Sequence, residues 1–389
     1  MSYRGDSVRS VNVVRYRYRL RPGATAMAAL LTEWDRCRRV WNRAVERLNE
    51  TGEWVRDNTL TEWRREHDWL REGSVVPQQQ MLRNFRAKRA KGKGRRKFKS
   101  AKRCLPSLNY TKRGFALKDG RLCLAGGLCI PVVWSRQLPG EPSSVRVYRD
   151  SIGHWYASFV VQRDGRALPA FDQAIGIDWG VRAVAITTDA EYDLPHPEHG
   201  KRAARELARL QRTMARRAPA RGQRASQGYL GAKRVAAKLS KKVTRQRQDT
   251  ARKWATKVVA NHGVLAVEDF KPRFLAKSRL ARKSADGAIG TTKATLIEYA
   301  RRAGRKVVLV PPAYTTMTCS GCGARAKSRL LLSQRVFVCE FCGAIRDRDR
   351  NAARVILDRA GLNPAGVEAV RHSDLLEVRL HAEPGIPAL

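Results

Sequence analysis

Acidic residues are scarce in this sequence. Its 389 residues hold 35 Asp and Glu against 78 Lys and Arg, a formal net charge of +43. A charge of that size repels itself unless a polyanion neutralises it, so the composition points to nucleic acid rather than to small molecules or protein partners. Long apolar runs are missing as well. The longest uncharged stretches, residues 122–135 and 307–324, are broken by Gly, Pro, Thr and Ser, so neither reads as a membrane span. No apolar segment follows the charged Met-Ser-Tyr-Arg-Gly-Asp start, which argues against a secretory leader, and no membrane partner is expected. Cysteines number eight, too few to staple a chain of this length. Cys37, Cys104, Cys123 and Cys129 are scattered and read as small buried hydrophobes in a reducing compartment. What is present in normal amount is hydrophobic sequence, 43%, enough for a packed core and roughly two or three domains.

Val14, Tyr16, Tyr18 and Leu20 alternate with Arg15, Arg17 and Arg19, which predicts a strand with one buried and one basic face. Arg21-Pro22-Gly23 ends it. Leu30, Trp34, Cys37, Trp41, Val45 and Leu48 then recur at helical spacing. A second helical stretch is expected from Thr59 into the 80s. Five of the nine tryptophans fall between residues 34 and 69, where helix packing accounts for them. Strand patterns return over 114–133 and in a hairpin from Ser144 to Gln162. An N-terminal strand pairing with these across a helical insertion gives a small β domain over residues 1–165.

Two segments concentrate the charge. Residues 83–103 hold 12 basic and no acidic residues, and residues 201–258 hold 19 basic and 2 acidic, so these 79 residues carry +29 of the total. In the first, Phe85 and Phe98 interleave with Arg95, Arg96, Lys97 and Lys99 around glycines, as suits a loop tracking a phosphate backbone. The second reads as helices broken near Pro219 and Gly228–Gly231. Its Lys241, Lys242, Arg245 and Arg247 are candidate nucleic-acid contacts.

Beyond Gln173 the pattern becomes α/β. Ala174 to Ile177 is an apolar strand reaching Asp178, and Val181 to Thr187 is a second strand after a tight turn. Val264 to Val267 is a third, ending at Glu268. A helix over about 288–303, a strand from Val307 to Val310 and a helix from Asn351 to Ala360 follow. Residues 361–389 carry no clear signal.

Two constellations carry chemistry. Cys319-x-x-Cys322 and Cys339-x-x-Cys342, sixteen residues apart, have the spacing at which two tight turns close a tetrahedron around one structural zinc. Gly321, Gly323 and Gly343 are expected to supply positive φ in those turns. Asp178 and Glu268 each end an apolar strand, and Asp349 precedes the last helix. Three carboxylates meeting in one pocket repel unless divalent metal neutralises them, and two magnesium ions about 4 Å apart could then serve phosphodiester hydrolysis.

Gly-Ile-Asp178-Trp-Gly, Val-Glu268-Asp-Phe, the paired Cys-x-x-Cys and Asp349-Arg-Asn-Ala-Ala, in that order, resemble the TnpB family, transposon-encoded relatives of the type V CRISPR effectors. The likeness covers about residues 11–360. It implies a multidomain α+β chain. An N-terminal β-barrel-like wedge domain (1–165) would carry a helical recognition insertion (about 24–103). An RNase H-like α/β, RuvC-like nuclease domain would follow (170–313, with basic helices 201–258), ending in a last helix (347–360). A four-cysteine zinc module for target nucleic acid (314–346) would be inserted in it. The resemblance further implies a cytoplasmic prokaryotic RNA-guided DNA endonuclease with Asp178, Glu268 and Asp349 as catalytic magnesium ligands, one structural zinc, a guide RNA and a double-stranded DNA target. Trp179 departs from the family, which more often has a smaller aliphatic there. Rival readings are a compact type V CRISPR effector, a cut-and-join transposase, or a non-catalytic repressor.

Overall fold

The computed structural model describes residues 11–87, 96–101, 103–164, 168, 169, 171–220, 222–328, 330, 331 and 333–362. Contacts divide the chain into two compact units, Met1–Asp164 and Gly165–Leu389.

In the first unit, β1 (Val11–Leu20) realises the alternation: Val14, Tyr18 and Leu20 are buried, while Arg15, Arg17 and Arg19 are exposed. Four helices follow, α1 (Ala24–Thr51), α2 (Asp57–Glu66), α3 (Asp68–Arg71) and α4 (Val75–Ala87). Helix α1 buries the expected stripe of Leu30, Trp34, Cys37, Trp41 and Val45, and ends at Gly52, whose left-handed φ of 69° suits a residue without Cβ. The chain then forms β2 (Ser107–Thr111), β3 (Phe115–Lys118), β4 (Arg121–Leu124), β5 (Leu128–Val133), β6 (Pro142–Arg149) and β7 (Trp155–Asp164).

These seven strands make one antiparallel sheet in the order β2-β6-β7-β1-β5-β4-β3. Strand β1 pairs along its length with β7 and at its end with β5, as a strand returning across a helical insertion should. The edge strands β2 and β3 are neighbours in the chain, joined by the three-residue turn Lys112–Gly114. Three residues span at most ~10 Å. The sheet therefore curls until its edges approach, giving a near-closed barrel around Tyr18, Leu108, Leu122, Ile130, Val147 and Phe159.

Two expectations fail here. Phe85 is not in a basic loop; it lies on α4, fully buried, because Met81, Leu82 and Phe85 form that helix's inner face. Cys123 and Cys129 are not isolated core residues. They stand opposite each other on β4 and β5, on the face away from Leu122, Leu124 and Ile130, and form a disulfide. Cys37 is a buried hydrophobe, as read.

The second unit is built on a five-stranded sheet, with β8 (Ala174–Trp179), β9 (Ala183–Thr187), β10 (Leu194–Pro195), β11 (Val264–Glu268) and β12 (Lys306–Val310) in the order β10-β9-β8-β11-β12. β9 is antiparallel to β8, whereas β11 runs parallel to both β8 and β12. All six residues of β8 are buried, so its apolar run reflects cover on both faces. The helices are α5 (His199–Arg216), α6 (Gln227–Asn261), α7 (Ala281–Gly287), α8 (Ile289–Arg302) and α9 (Arg348–Arg359), and a small hairpin comprises β13 (Val336–Val338) and β14 (Ile345–Asp347).

On one face, Ile175, Ile177 and Trp179 pack with Trp254 and Val258 of α6 and Leu296 of α8. On the other, Ala174, Ala266 and Val310 pack with Ile356 and Leu357 of α9. Gly176 is what lets α9 lie so close. A Cβ there would sit 2.2 Å from the carbonyl oxygen of Ala353. Helix α6 is longer than the sequence suggested. Gly228 and Gly231 fall in the first turns of its 35 residues, where the Ser226 side chain caps Tyr229 N–H and offsets their low propensity.

Candidate active site and metal centre

Asp178 and Glu268 lie near the carboxyl ends of the adjacent strands β8 and β11, 6% and 5% exposed. The parallel register that sets Ile177 beside Val267 brings the two acids side by side. Burial, then the charges of Glu268 and Asp349, hold the Asp178 carboxyl well above the ordinary carboxylate range. Burial pushes Glu268 up to about 7, against hydrogen bonds from Thr315 and the Trp179 backbone and the charge of Lys293. Thr315 Oγ1 donates to Glu268 Oε1 at 3.2 Å. Trp179 packs edge-on against Trp254 and donates its indole N–H to the Glu268 carbonyl at 3.1 Å. The bulk that looked out of place beside Asp178 thus steadies the neighbouring acid's backbone.

Asp349 sits in the first turn of α9. The helix begins three residues earlier than its apolar pattern suggests, because Asp347 is the N-cap and accepts from Arg350 N–H at 2.8 Å. The two aspartates are therefore separated in role: Asp347 caps, and Asp349 faces Asp178 closely enough to raise its pKa. The Asp349 carboxylate accepts from Arg348 at 2.8 Å and from Arg335 at 3.3 Å. Arg350, bidentate to Asp193, fixes α9 against the loop after β9.

The four paired cysteines converge. Cys319 Sγ lies 3.7 Å from Cys342 Sγ, and Cys322 Sγ 3.6 Å from Cys339 Sγ. Sulfurs at ~2.3 Å from a tetrahedral zinc are ~3.8 Å apart, so the set fits that ion. Among the described residues, these thiols are the one group of three or more potential ligands gathered within 4.8 Å of one another. The two turns are copies: Cys319 N–H bonds Ala324 O and Gly323 N–H bonds Cys319 O, just as Cys339 N–H bonds Ala344 O and Gly343 N–H bonds Cys339 O. Gly323 and Gly343 have φ of 76° and 72°, but Gly321 does not enter the left-handed region. The backbone N–H of Cys342, then that of Phe341, hold the Cys339 thiol down at about 6, ready to ligate as thiolate.

The basic candidates are placed unevenly. Lys99 has its ammonium 4.5 Å from the Trp41 ring centroid, and Arg96 lies over Trp54. Trp41 N–H and the Asn42 amide hold the backbone of Lys97 and Lys99 against α1. Arg95 lies outside the described residues. On α6, Lys242 and Arg245 are exposed and Lys241 half-buried. Arg247 instead pairs with buried Asp286 of α7 at 2.9 Å. Asp286 also accepts from Gly200 and Lys201 N–H at the start of α5, so it ties three helices together. Sequence reasoning missed this hub, along with Thr315, Lys293, Arg335 and Arg348, because their partners are remote in the chain.

Among the described residues no helix is long and apolar enough to cross a membrane. Residues 158–279 match the family model described as "Probable transposase", and residues 290–356 match "Cas12f1-like, TNB domain". The chain is 32% identical to a "Putative RNA-guided DNA endonuclease" of Streptomyces pristinaespiralis, covering 89% of each chain. It is 29% identical to the "Putative RNA-guided DNA endonuclease InsQ" of Escherichia coli K12, over 88% of this chain and 91% of that one. The protein in a Cas12f1-sgRNA-target DNA complex shares its fold, with TM-score 0.55 at 12% identity over 89% of this chain and 98% of that one. On these matches, which cover nearly nine-tenths of its length, the chain belongs to the TnpB family.

Proposed function

We propose that this protein is an RNA-guided DNA endonuclease that hydrolyses phosphodiesters at one RuvC-like site formed by Asp178, Glu268 and Asp349. The observation that carries the reading is local. In a chain of net charge +43, Asp178 and Glu268 are buried side by side, and burial, then the charges of Glu268 and Asp349, hold the Asp178 carboxyl well above the ordinary carboxylate range. Two acids buried at neighbouring strand ends are costly to ionise until further positive charge arrives. Asp178 and Glu268 offer oxygens from neighbouring strand ends, and Asp349 offers one from the helix opposite, a donor set that suits magnesium. When bound, magnesium supplies positive charge for the oxygens on which negative charge builds during phosphodiester hydrolysis. The protein's own part is to keep Asp178 and Glu268 dry and all three carboxylates fixed. Trp179 and Thr315 position Glu268, while Arg348 and Arg335 hold Asp349.

The order β10-β9-β8-β11-β12, with α9 against β8, supports an RNase H-like domain, and the thiol spacing supports one structural zinc. Lys241, Lys242 and Arg245 on α6 would contact the backbone of a guide–target duplex, where base pairing supplies sequence choice. The test is to purify the protein with its co-expressed RNA, sequence that RNA, and offer duplex DNA matching its variable end with magnesium. Cleavage is expected, and none with Asp178→Ala. An RNA-loaded wild-type protein that leaves every such duplex intact overturns the proposal.

A further inference from the structure

Asn351 has no part in that chemistry, yet it is fully buried on α9, two residues beyond Asp349. Both ends of its amide are used. Nδ2 donates to Thr318 O at 2.7 Å, and Oδ1 accepts from Ser320 N–H at 3.0 Å. These partners flank Cys319, itself 1% exposed. A single side chain thus grips the first cysteine turn on either side of a thiol that points into the metal centre.

The same short segment reaches the second acid. Thr315, 2% exposed, bonds Glu268, and three residues later Thr318 bonds Asn351. Arg359 adds a tie from the far end of α9, reaching Ala313 O and Thr318 Oγ1 at 2.6 and 3.1 Å. Residues 313–320 therefore run between the strand end that carries Glu268 and the helix that carries Asp349, and they contain one thiol of the four. Buried amide bonds of this kind fix position, because breaking one strands polar atoms away from water.

We propose that Asn351 is a positioning residue that transmits the order of the four-cysteine centre to Asp349, so that loading of the thiols presets the carboxylate pocket. The inference rests on the endonuclease reading for the identity of that pocket. It makes the two metal centres energetically coupled, and coupling of this sort is reciprocal.

The experiment measures manganese binding to the full chain, by the paramagnetic resonance signal of the free ion, with and without removal of zinc. Wild-type protein should lose about tenfold in manganese affinity when zinc is stripped, a typical coupling factor. Asn351→Ala should keep its zinc, bind manganese as weakly as stripped wild type, and lose little more on stripping. Asn351→Asp, which keeps the acceptor to Ser320 but sets an oxygen against Thr318 O, should fall between them. Should the alanine variant fail to fold, the aspartate variant carries the comparison. An undiminished zinc effect in either variant overturns the clamp. Manganese binding that survives Asp178→Ala unchanged overturns the underlying assignment of the pocket instead.

Discussion

Replacing Glu268 by Gln should make the metal-free protein more stable at alkaline pH while abolishing cleavage. Glu268 is 5% exposed, and burial raises its pKa from 4.5 to about 7. The folded protein therefore holds a proton that the unfolded chain has released between those values. Its contribution to stability is full below pH 4.5 and is lost as pH rises through 7, so the wild-type melting temperature should fall across that window. At about 1.4 kcal/mol per pH unit, ionising Glu268 in the fold costs roughly 3 kcal/mol at pH 8. Gln has the same shape, can still accept from Thr315, and never ionises. Without added divalent ions, the melting transition of the variant's second unit should lie above that of wild type at pH 8 by roughly 6–10 °C, with a flatter pH profile. Magnesium should then raise the wild-type value and leave the variant's nearly unchanged, because only the carboxylate gains a counter-ion. Calorimetry at pH 5, 6, 7 and 8, with and without magnesium, reads all of this. A Gln variant that melts below wild type at pH 8 refutes the account of the pocket as an anionic strain relieved by metal.

Native mass spectrometry should find one zinc, and Cys339→Ser should lose it and loosen residues 314–346, read as faster amide exchange there. Asp349→Ala should abolish magnesium-dependent cleavage while RNA binding persists, whereas Asp347→Ala should cost about 1 kcal/mol of stability through the lost N-cap and retain activity. Neutralising Lys241, Lys242 and Arg245 should flatten the salt dependence of RNA affinity measured by filter binding. Arg247→Ala should act differently, lowering the melting temperature, since it leaves the buried Asp286 carboxylate without its cation.

The sequence made legible those features that repeat locally. Alternation exposed β1, helical spacing exposed the inner stripe of α1, and two cysteine pairs announced their own turns. Strand-end acids could be named because Asp178 and Glu268 interrupt apolar runs. Features that depend on remote partners were hidden. Strand β2 has only Leu108 and Tyr110 to mark its inner face, too few for a pattern. Helix α7 buries Ser284 and Asp286 rather than apolar residues, so its sequence reads as surface. Phe85 looked like part of a basic loop because the charge run begins within α4, and Cys123 and Cys129 meet only because β4 and β5 pair. Within the site, the acids were visible but their holders were not: Thr315 reaches Glu268 across 47 residues of chain.

The close seat of α9 on β8, made possible by Gly176, also has a meaning in time. On a ribosome β8 and β9 emerge long before α9. Arg350 must find Asp193 across 157 residues of chain, which takes on the order of ten to thirty seconds to synthesise. During that interval the Gly176 face of the nascent sheet has no helix over it and the pocket lacks Asp349. On the endonuclease reading proposed above, competence to cut DNA is thus deferred until α9 has been made and has docked.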